Sequence, residues 1–182
     1  TIKYREKKMH SLIFIFFIWI FVAFPVSGEE KQKIPTFGDW AKKCETAKFK
    51  EKNKKEATSK RICYVFQNVS NKESGQVIMQ IRIGYPSSDN IPVMIVTLPL
   101  GALLPPGAGF LTEGSDPIKL PFLACGREGC TTVGQPIQSK TLEAMKKGDL
   151  AAVRVSLMNQ KVINLPVSLK GFTRALNSIQ PK

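Results

Sequence analysis

Histidine is almost absent from this 182-residue chain, which contains only His10. We expect that residue to lie in a removable leader, so the predicted mature chain has no histidine. A Ser–His–Asp triad is then excluded, and so are metal sites built on imidazole. Acidic residues are also few, since 14 acids stand against 27 lysines and arginines and give a formal net charge of +13. This basic excess favours partners that carry negative charge.

Long apolar runs are missing except for one of 13 residues, from Leu12 to Phe24. Basic residues precede this run, and Val26-Ser27-Gly28 places small residues before Glu29, which is the plan of a secretory signal peptide. A spanning helix needs about 20 apolar residues, so an uncleaved membrane anchor is the less favoured alternative. We predict a signal peptide at residues 1–28, a flexible N-terminal tail at residues 29–36 and one domain at residues 37–182.

Cysteine is limited to four residues, all in the predicted exported part: Cys44, Cys63, Cys125 and Cys130. An even number in an oxidising compartment indicates two disulfides, and three pairings are open. We favour Cys44 with Cys63 and Cys125 with Cys130, because each pair is close in sequence. Zinc is disfavoured since the spacings are wrong and histidine is lacking, and no Cys-x-x-Cys redox motif occurs. We predict no metal and no cofactor.

Short β-strand signals recur along the rest of the chain. Residues 76–83 alternate between apolar and polar, with Val77, Met79, Ile81 and Ile83 on one face and Gln80 and Arg82 on the other. The other candidate strands are residues 63–69, 92–98, 109–112, 118–125, 130–133, 150–158 and 162–165. Strands with turn signals between them every eight to twelve residues are typical of an all-β sandwich.

Two short helices are predicted among these strands. Ser139 is placed to cap a helix over residues 140–147 that Gly148 ends, and residues 172–179 form the second. Helices between strands are too few for a parallel α/β sheet. Trp40 is expected to anchor the core.

Residues 42–61 contain nine basic residues against three acids. Apolar residues are scarce there, so we predict an exposed loop. Its charge would attract an anionic surface, in a manner that salt weakens. The candidate binding residues are Lys48, Lys50, Lys52, Lys54, Lys55, Lys60 and Arg61. A solvated loop that only aids solubility is the alternative.

The amino-acid sequence gives little support to an enzymatic function. Paired carboxylates could act on envelope sugars if two acids converged in space, and the candidates by residue type are Asp39, Glu113, Asp116, Glu128 and Asp149. A serine–lysine dyad of Ser168 and Lys170 is formally open. No phosphate-binding glycine motif occurs. We predict that the protein is not an enzyme and that it has no catalytic residues.

Several motifs in order carry a resemblance to a known family. They are Phe37-Gly38-Asp39-Trp40 with the cysteines that follow, Pro99-Leu100-Gly101, the segment Leu120–Cys125 with Cys130, and Pro166–Phe172. Together they resemble the invasion-associated locus B family of alphaproteobacteria, over about residues 36–180. The resemblance implies an immunoglobulin-like β-sandwich in which Gly38 and Gly101 serve turns, while Trp40, Phe122 and Phe172 fill the core.

The same resemblance implies a function. Members are exported to the periplasm or cell envelope, and in pathogens they support entry into host cells, notably erythrocytes. It supplies no catalytic residues. The expected partners are a host-cell surface or an anionic envelope component, with peripheral membrane association and no nucleic acid; the oligomeric state is open. The alternatives are a periplasmic accessory or chaperone-like binding protein and, less favoured, a carboxylate-dependent hydrolase.

Overall fold

The structure is a computed structural model, and it describes residues 34–49, 58–87 and 89–181. The predicted signal peptide and most of the predicted tail lie outside the described residues. The elements in chain order are β1 (Thr36–Phe37), β2 (Trp40–Phe49), β3 (Thr58–Ser70), β4 (Val77–Gly84), β5 (Val93–Leu98), β6 (Ala108–Thr112), β7 (Ile118–Leu120), β8 (Phe122–Gly126), β9 (Gly129–Thr132), β10 (Gln135–Pro136), α1 (Ser139–Lys147), β11 (Leu150–Ser156), β12 (Val162–Ser168) and α2 (Phe172–Asn177).

Two antiparallel sheets face each other across one apolar core. The large sheet has the strand order β1-β2-β3-β4-β5-β9-β8, with β10 also paired to β5, and the small sheet has the order β12-β11-β6-β7. The core draws Ile81 and Met94 from the large sheet and Phe110 and Val153 from the small one, all 0% exposed. The predicted all-β, immunoglobulin-like sandwich with two short helices is confirmed.

Alternation of side chains positions the large sheet on this core. In β4 the residues Met79, Ile81 and Ile83 are buried while the residues between them are partly exposed, as the sequence pattern predicts. In β5 burial alternates in the same way, so this strand is central in the sheet but only one of its faces is fully buried. The outer face of the large sheet is thus left for polar and half-buried side chains.

The prediction of one strand over residues 118–125 is wrong. Leu120 pairs with Ala108 in the small sheet, whereas Phe122 pairs with Thr132 in the large sheet. Pro121 lies between the two strands, and its lack of an N–H suits a point where the chain leaves one ladder for another. The segment therefore forms β7 and β8, which belong to different sheets.

The two helices lie close to their predicted positions. Helix α1 begins at Ser139 itself, so the prediction that Ser139 caps it is wrong: Gln138 is the N-cap residue and makes no side-chain capping hydrogen bond. Gly148 ends the helix, and its N–H donates to the Ala144 carbonyl. Helix α2 buries Phe172 against Trp40, with ring centroids 5.1 Å apart.

The Phe-Gly-Asp-Trp segment and the Leu-Lys-Gly-Phe segment meet where the chain begins and ends its fold. Gly38 and Gly171 both have positive φ, and a Cβ atom on either one would strike backbone: 2.6 Å from the Lys170 oxygen for Gly38 and 2.0 Å from the Phe37 oxygen for Gly171. Only glycine permits this approach. The two motifs are therefore halves of one contact, and Trp40 Nε1 adds a 2.8 Å hydrogen bond to the Ser168 carbonyl.

Candidate functional site

The basic stretch is mainly a two-stranded ribbon, so the prediction of a loop over residues 42–61 is wrong for its described residues. Strand β2 pairs with β3 from Ala41↔Phe66 to Phe49↔Thr58. Strand β4 reaches only as far as the pair Tyr64↔Gly84. Among the described residues beyond that pair, none bonds to a third strand. We call the segment from Cys44 to Cys63 the basic arm, and its residues 50–57 lie outside the described residues.

A disulfide joins the two strands at the base of the basic arm. Cys44 and Cys63 face each other in the ladder, with Cα atoms 4.0 Å apart. The second disulfide joins Cys125 and Cys130 across the β8–β9 hairpin. Both pairings agree with the preferred prediction, and no described cysteine is free. The first disulfide fixes the register of the arm where support from β4 ends.

Positive charge on the described part of the basic arm is spread over both ribbon faces. Lys60 and Arg61 are exposed, and adjacent residues of a strand point to opposite faces. Their direct partners across the ladder are Ala47 and Thr46, which are neutral. Like charges therefore do not oppose each other across these rungs. Of the remaining predicted binding residues, the Lys48 side chain and Lys50, Lys52, Lys54 and Lys55 lie outside the described residues.

One acid near the base of the basic arm is already neutralised. Glu45 accepts a contact of 2.6 Å from Lys43 Nζ and a 3.0 Å hydrogen bond from the Tyr64 hydroxyl. These hydrogen bonds hold the pKa of Glu45 below its ordinary value and raise the pKa of Lys43. The pKa of Tyr64 is raised, first by burial and then by its hydrogen bond to Glu45. Glu45 is therefore exposed but paired with Lys43, and it is not a free anion on the arm.

A cavity of about 580 Å³ lies on the large sheet beside the end of β5, between β4 and the β8–β9 hairpin. We call it the notch. One wall is the start of β4, the base is Leu98 and Pro99, and the other wall is the β8–β9 hairpin. Its lining residues are Val77, Ile78, Met79, Gln80, Arg82, Thr97, Leu98, Pro99, Ala124, Cys125, Gly126, Arg127, Glu128, Gly129 and Thr131.

Arg82 is the most unusual polar group of the notch. It is half-buried on the outer face of β4, and Nη2 donates a long 3.4 Å hydrogen bond to Thr97 Oγ1. Its Nε is buried without a hydrogen-bond partner among the described residues. A guanidinium has five N–H donors, and the buried one on Nε is the one left without a protein partner among the described residues. The sequence pattern placed Arg82 on the outer face but gave no signal of a cavity beside it.

The five acids proposed for a hydrolase are not gathered in one site. Asp39, Glu128 and Asp149 stand in three separate loops, and only Glu128 among the described carboxylates lines the notch. Glu113 and Asp116 share the loop between β6 and β7, where Asp116 is paired with Lys140 at 3.3 Å. Ser168 Oγ donates to Asp39 Oδ2 at 2.6 Å, so this serine is held in a structural contact. In the described ranges, no group of three or more acids, cysteines and histidines could hold a metal ion. None of the described helices is long and apolar enough to cross a membrane.

These features define a two-sheet β-sandwich with a disulfide at the base of a basic arm and a second disulfide beside a notch. Residues 40–180 match the family model described as Invasion associated locus B (IalB) protein, and the chain belongs to this family. The match spans both sheets and both helices.

Named relatives support the same assignment. The chain is 24% identical over 148 residues to the Invasion protein B homolog of Brucella abortus strain 2308, a match that covers 80% of this chain and 78% of the relative. The homolog from Brucella abortus biovar 1 strain 9-941 gives the same values. The crystal structure of invasion associated protein B from Bartonella henselae has a TM-score of 0.65 at 20% identity, over 80% of this chain and 93% of that one. At this identity the structural likeness shows a shared fold.

Proposed function

We propose that this protein is exported to the cell envelope, where it supports host-cell invasion, including that of erythrocytes, as a non-enzymatic, adhesin-like factor. The observation that carries the proposal is the basic arm, which leaves the body of the sandwich and is joined at its base by Cys44–Cys63. The names of the Brucella and Bartonella relatives, which describe invasion proteins, support it.

The geometry of the basic arm suits contact with an anionic surface. The described residues of the arm form a paired ribbon, which has lost most of its conformational freedom before binding, so these residues lose less entropy on contact than a free loop would. Lys60 and Arg61 are exposed on opposite faces, and the charge of Glu45 is paired with Lys43, with a further hydrogen bond from Tyr64. Residues 42–61 carry nine bases and three acids, a net charge of +6. The surface bound would therefore be rich in phosphate or carboxylate groups.

The test compares two variants of equal charge. In the first, Lys48, Lys50, Lys52, Lys54 and Lys55 are all changed to Gln. In the control, five exposed lysines away from the arm are changed to Gln instead: Lys72, Lys119, Lys147, Lys161 and Lys170. Binding to erythrocyte ghosts is measured at low salt. Each lysine near an anionic membrane contributes about 1 kcal/mol, so the loss of five lysines should weaken binding by the arm variant on the order of 1,000-fold, and the control should stay close to wild type.

Two further binding measurements distinguish the possible sources of negative charge on the target surface. Ghosts treated with neuraminidase lack sialic acid, whereas vesicles of phosphatidylcholine with phosphatidylserine offer anionic lipid alone. Loss of binding after neuraminidase would assign the surface to sialylated glycans, and binding to the vesicles would assign it to lipid. Equal binding of the arm variant and the wild type to ghosts would contradict the proposed role of the arm.

The invasion role itself requires the producing bacterium. Deleting the gene should lower invasion of erythrocytes, and the arm variant should fail to restore it while the five-lysine control succeeds. Protease treatment of intact cells should degrade the protein if it reaches a host. A protein that such treatment leaves intact, with envelope defects in the mutant even without host cells, would instead support a periplasmic accessory role.

A further inference from the structure

Two neighbouring connections of the sandwich carry a cluster of exposed apolar side chains. One connection joins β5 to β6 and the other joins β11 to β12, and we call the cluster the apolar face: Leu100, Leu103, Leu104, Met158 and Val162. Their exposed fractions run from 39% for Leu103 to 75% for Met158. Apolar side chains that are exposed side by side mark a surface that contacts something other than water.

Hydrogen bonds between the two connections hold the apolar face together. Leu103 N donates to the Ser156 carbonyl at 2.8 Å, and Met158 N donates to the Gly101 carbonyl at 3.0 Å. Ser156 is also paired with Val162 across the β11–β12 ladder. The five side chains therefore belong to one small area, although they come from two distant parts of the chain.

The charges of these two parts of the chain indicate what would cover the apolar face. Residues 91–112 carry no charge, and residues 150–168 carry Arg154 and Lys161 but no acid. Both bases are exposed. A surface of large apolar side chains with bases and no acid beside it complements an anionic phospholipid bilayer, which takes the apolar groups among its acyl chains and the bases among its headgroups.

The backbone of the β5–β6 connection also suits a nonpolar medium, where an N–H without a partner is costly. The N–H groups of Leu103 and Gly107 are bonded to the carbonyls of Ser156 and Leu104. Three further residues of the segment 99–107 are prolines, which have no N–H to satisfy: Pro99, Pro105 and Pro106. Few donors of this segment therefore need water.

We propose that the apolar face enters the outer part of a phospholipid bilayer and holds the protein at a membrane surface, with Arg154 and Lys161 among the headgroups. Insertion of this kind buries apolar side chains about 5–10 Å into the boundary between headgroups and acyl chains. Its strength grows with the apolar area buried, and the two bases add an electrostatic attraction that depends on anionic lipid.

This attachment differs from that of the basic arm and does not depend on it. Strand β5 begins at Val93, which pairs with Gly84 where the arm leaves the sheet. It ends at Leu98, just before the apolar face and five residues away, which is roughly 17 Å along a strand. The basic arm and the apolar face therefore lie toward opposite ends of β5 and are separate contact surfaces.

Co-sedimentation with vesicles measures the attachment. The protein is purified from the exporting bacterium, in the processed form that it has there, and is mixed with vesicles of phosphatidylcholine and phosphatidylglycerol in 1 M NaCl. At that ionic strength the Debye length is about 3 Å. Attraction through the basic arm is then screened, whereas insertion of apolar side chains is not.

Leu100→Ser with Met158→Ser removes the two most exposed side chains of the apolar face, at 65% and 75%. The matched control is Leu123→Ser with Leu150→Ser, because these leucines are 70% and 61% exposed but lie on β8 and at the opposite end of β11 from Ser156. The first variant should bind vesicles on the order of tenfold more weakly or worse. The control should bind like the wild type, and circular dichroism shows that each variant is folded.

An added indole reports whether the apolar face enters the bilayer. Met158→Trp and Leu123→Trp introduce it at two positions of similar exposure, and the native Trp40 is 0% exposed. Brominated phosphatidylcholine quenches an indole only within the bilayer. Quenching should therefore be stronger for the Met158→Trp protein than for the Leu123→Trp protein, and equal quenching would contradict insertion.

The contribution of the bases is tested at 0.1 M NaCl. A lysine near an anionic membrane contributes about 1 kcal/mol, so Lys161→Gln should weaken binding to vesicles with phosphatidylglycerol about fivefold. The same change should leave binding to pure phosphatidylcholine unaltered. An equal effect on both kinds of vesicle would contradict the placement of Lys161 among anionic headgroups.

Three results would overturn the membrane role of the apolar face. The Leu100→Ser/Met158→Ser protein could bind vesicles as well as the wild type, or the control variant could lose binding to the same extent. Sedimentation could also show a dimer that Leu100→Ser/Met158→Ser dissociates, which would make a second copy of this chain the occupant. The five-lysine arm variant should bind these vesicles in 1 M NaCl like the wild type, so failure of the apolar face and failure of the basic arm give different results.

Discussion

Gln67 and Ser168 join the two sheets through a reciprocal pair of hydrogen bonds. Ser168 N donates to Gln67 Oε1 at 2.9 Å, and Gln67 Nε2 donates to the Ser168 carbonyl at 3.0 Å. Gln67 lies in β3 of the large sheet and is 6% exposed, whereas Ser168 ends β12 of the small sheet. The side chain of Gln67 thus acts as a short extra rung between strands that belong to different ladders.

Changing Gln67 to Ala should destabilise the fold by about 1–3 kcal/mol, because the Ser168 N–H would lose its partner in a partly buried place. Urea unfolding followed by circular dichroism measures the change. Gln76→Ala is the control, since Gln76 is exposed in the turn before β4, and a surface change of this kind should stay within about 0.5 kcal/mol. Equal stability of the two variants would show that the bonded pair contributes nothing.

The contact between Gly38 and Gly171 predicts a second difference in stability. Gly171→Ala and Gly114→Ala both place a Cβ at positive φ, +84° and +79°, and the backbone cost alone is about 1–2 kcal/mol. A Cβ at Gly114 meets nothing within 4 Å, while one at Gly171 would lie 2.0 Å from the Phe37 oxygen. Gly171→Ala should therefore lower the midpoint of thermal unfolding clearly further than Gly114→Ala. Equal midpoints would mean that the close approach relaxes freely.

The two disulfides should differ in their contribution to stability. Their sequence separations are 19 and 5 residues, and the chain-entropy model gives about 3 kcal/mol for the longer loop and about 2 kcal/mol for the shorter. Urea unfolding of the Cys44→Ala/Cys63→Ala and Cys125→Ala/Cys130→Ala proteins compares them. Peptide mapping without reductant should return only these two linkages, and a Cys44–Cys125 peptide would contradict the pairing.

The contacts of Glu45 predict an acid-side titration. Its folded pKa lies below the ordinary 4.5 because Lys43 and Tyr64 hydrogen-bond the carboxylate, so its contribution is complete above the ordinary pKa and is lost as pH falls through the lowered value. The raised pKa of Lys43 makes its contribution complete below the ordinary 10.5 and lost as pH rises through the raised value. The contact therefore persists across neutral pH.

NMR titration of the Glu45 carboxyl carbon tests this prediction. Lys43→Gln should move the midpoint up toward 4.5, the ordinary value, but not fully, because the Tyr64 hydroxyl still donates. Lys72→Gln is the control, since Lys72 is exposed in the β3–β4 turn and touches neither group. A midpoint that Lys43→Gln leaves in place would contradict the assigned cause.

The local sequence pattern was sufficient to predict the strands that pack on the core. The alternation of Met79, Ile81 and Ile83 predicts β4 because one face of that strand is buried. The predicted strands at residues 150–158 and 162–165 are also present, as the paired strands β11 and β12. In these segments the alternation of apolar and polar residues in the sequence matches the alternation of buried and exposed side chains in the strand.

The basic arm and the notch could not be predicted from local sequence patterns, for physical reasons. Residues 44–49 and 58–63 form strands without covering the core, so their sequence shows lysines where a packed strand would alternate. The notch depends on where β5 ends relative to β4 and β9, and on Pro121 sending one apolar segment into two sheets. Strand order of this kind is set by contacts between residues far apart in the chain. The sequence pattern identifies Arg82 as a polar residue on the outer face of its strand, but it does not predict which residues lie next to it.

The position of the Cys44–Cys63 disulfide has a mechanical consequence. A pulling force applied to the outer end of the basic arm acts on its interstrand hydrogen bonds one after another. Each residue pair therefore opens at low force. Opening would stop at the covalent bridge, one rung before the pair Tyr64↔Gly84 where β4 joins the ladder. Tension on the arm is thereby kept from peeling Trp40 and the rest of β2 away from the core, so the attachment proposed for this arm would open at its outer end while the sandwich stays folded.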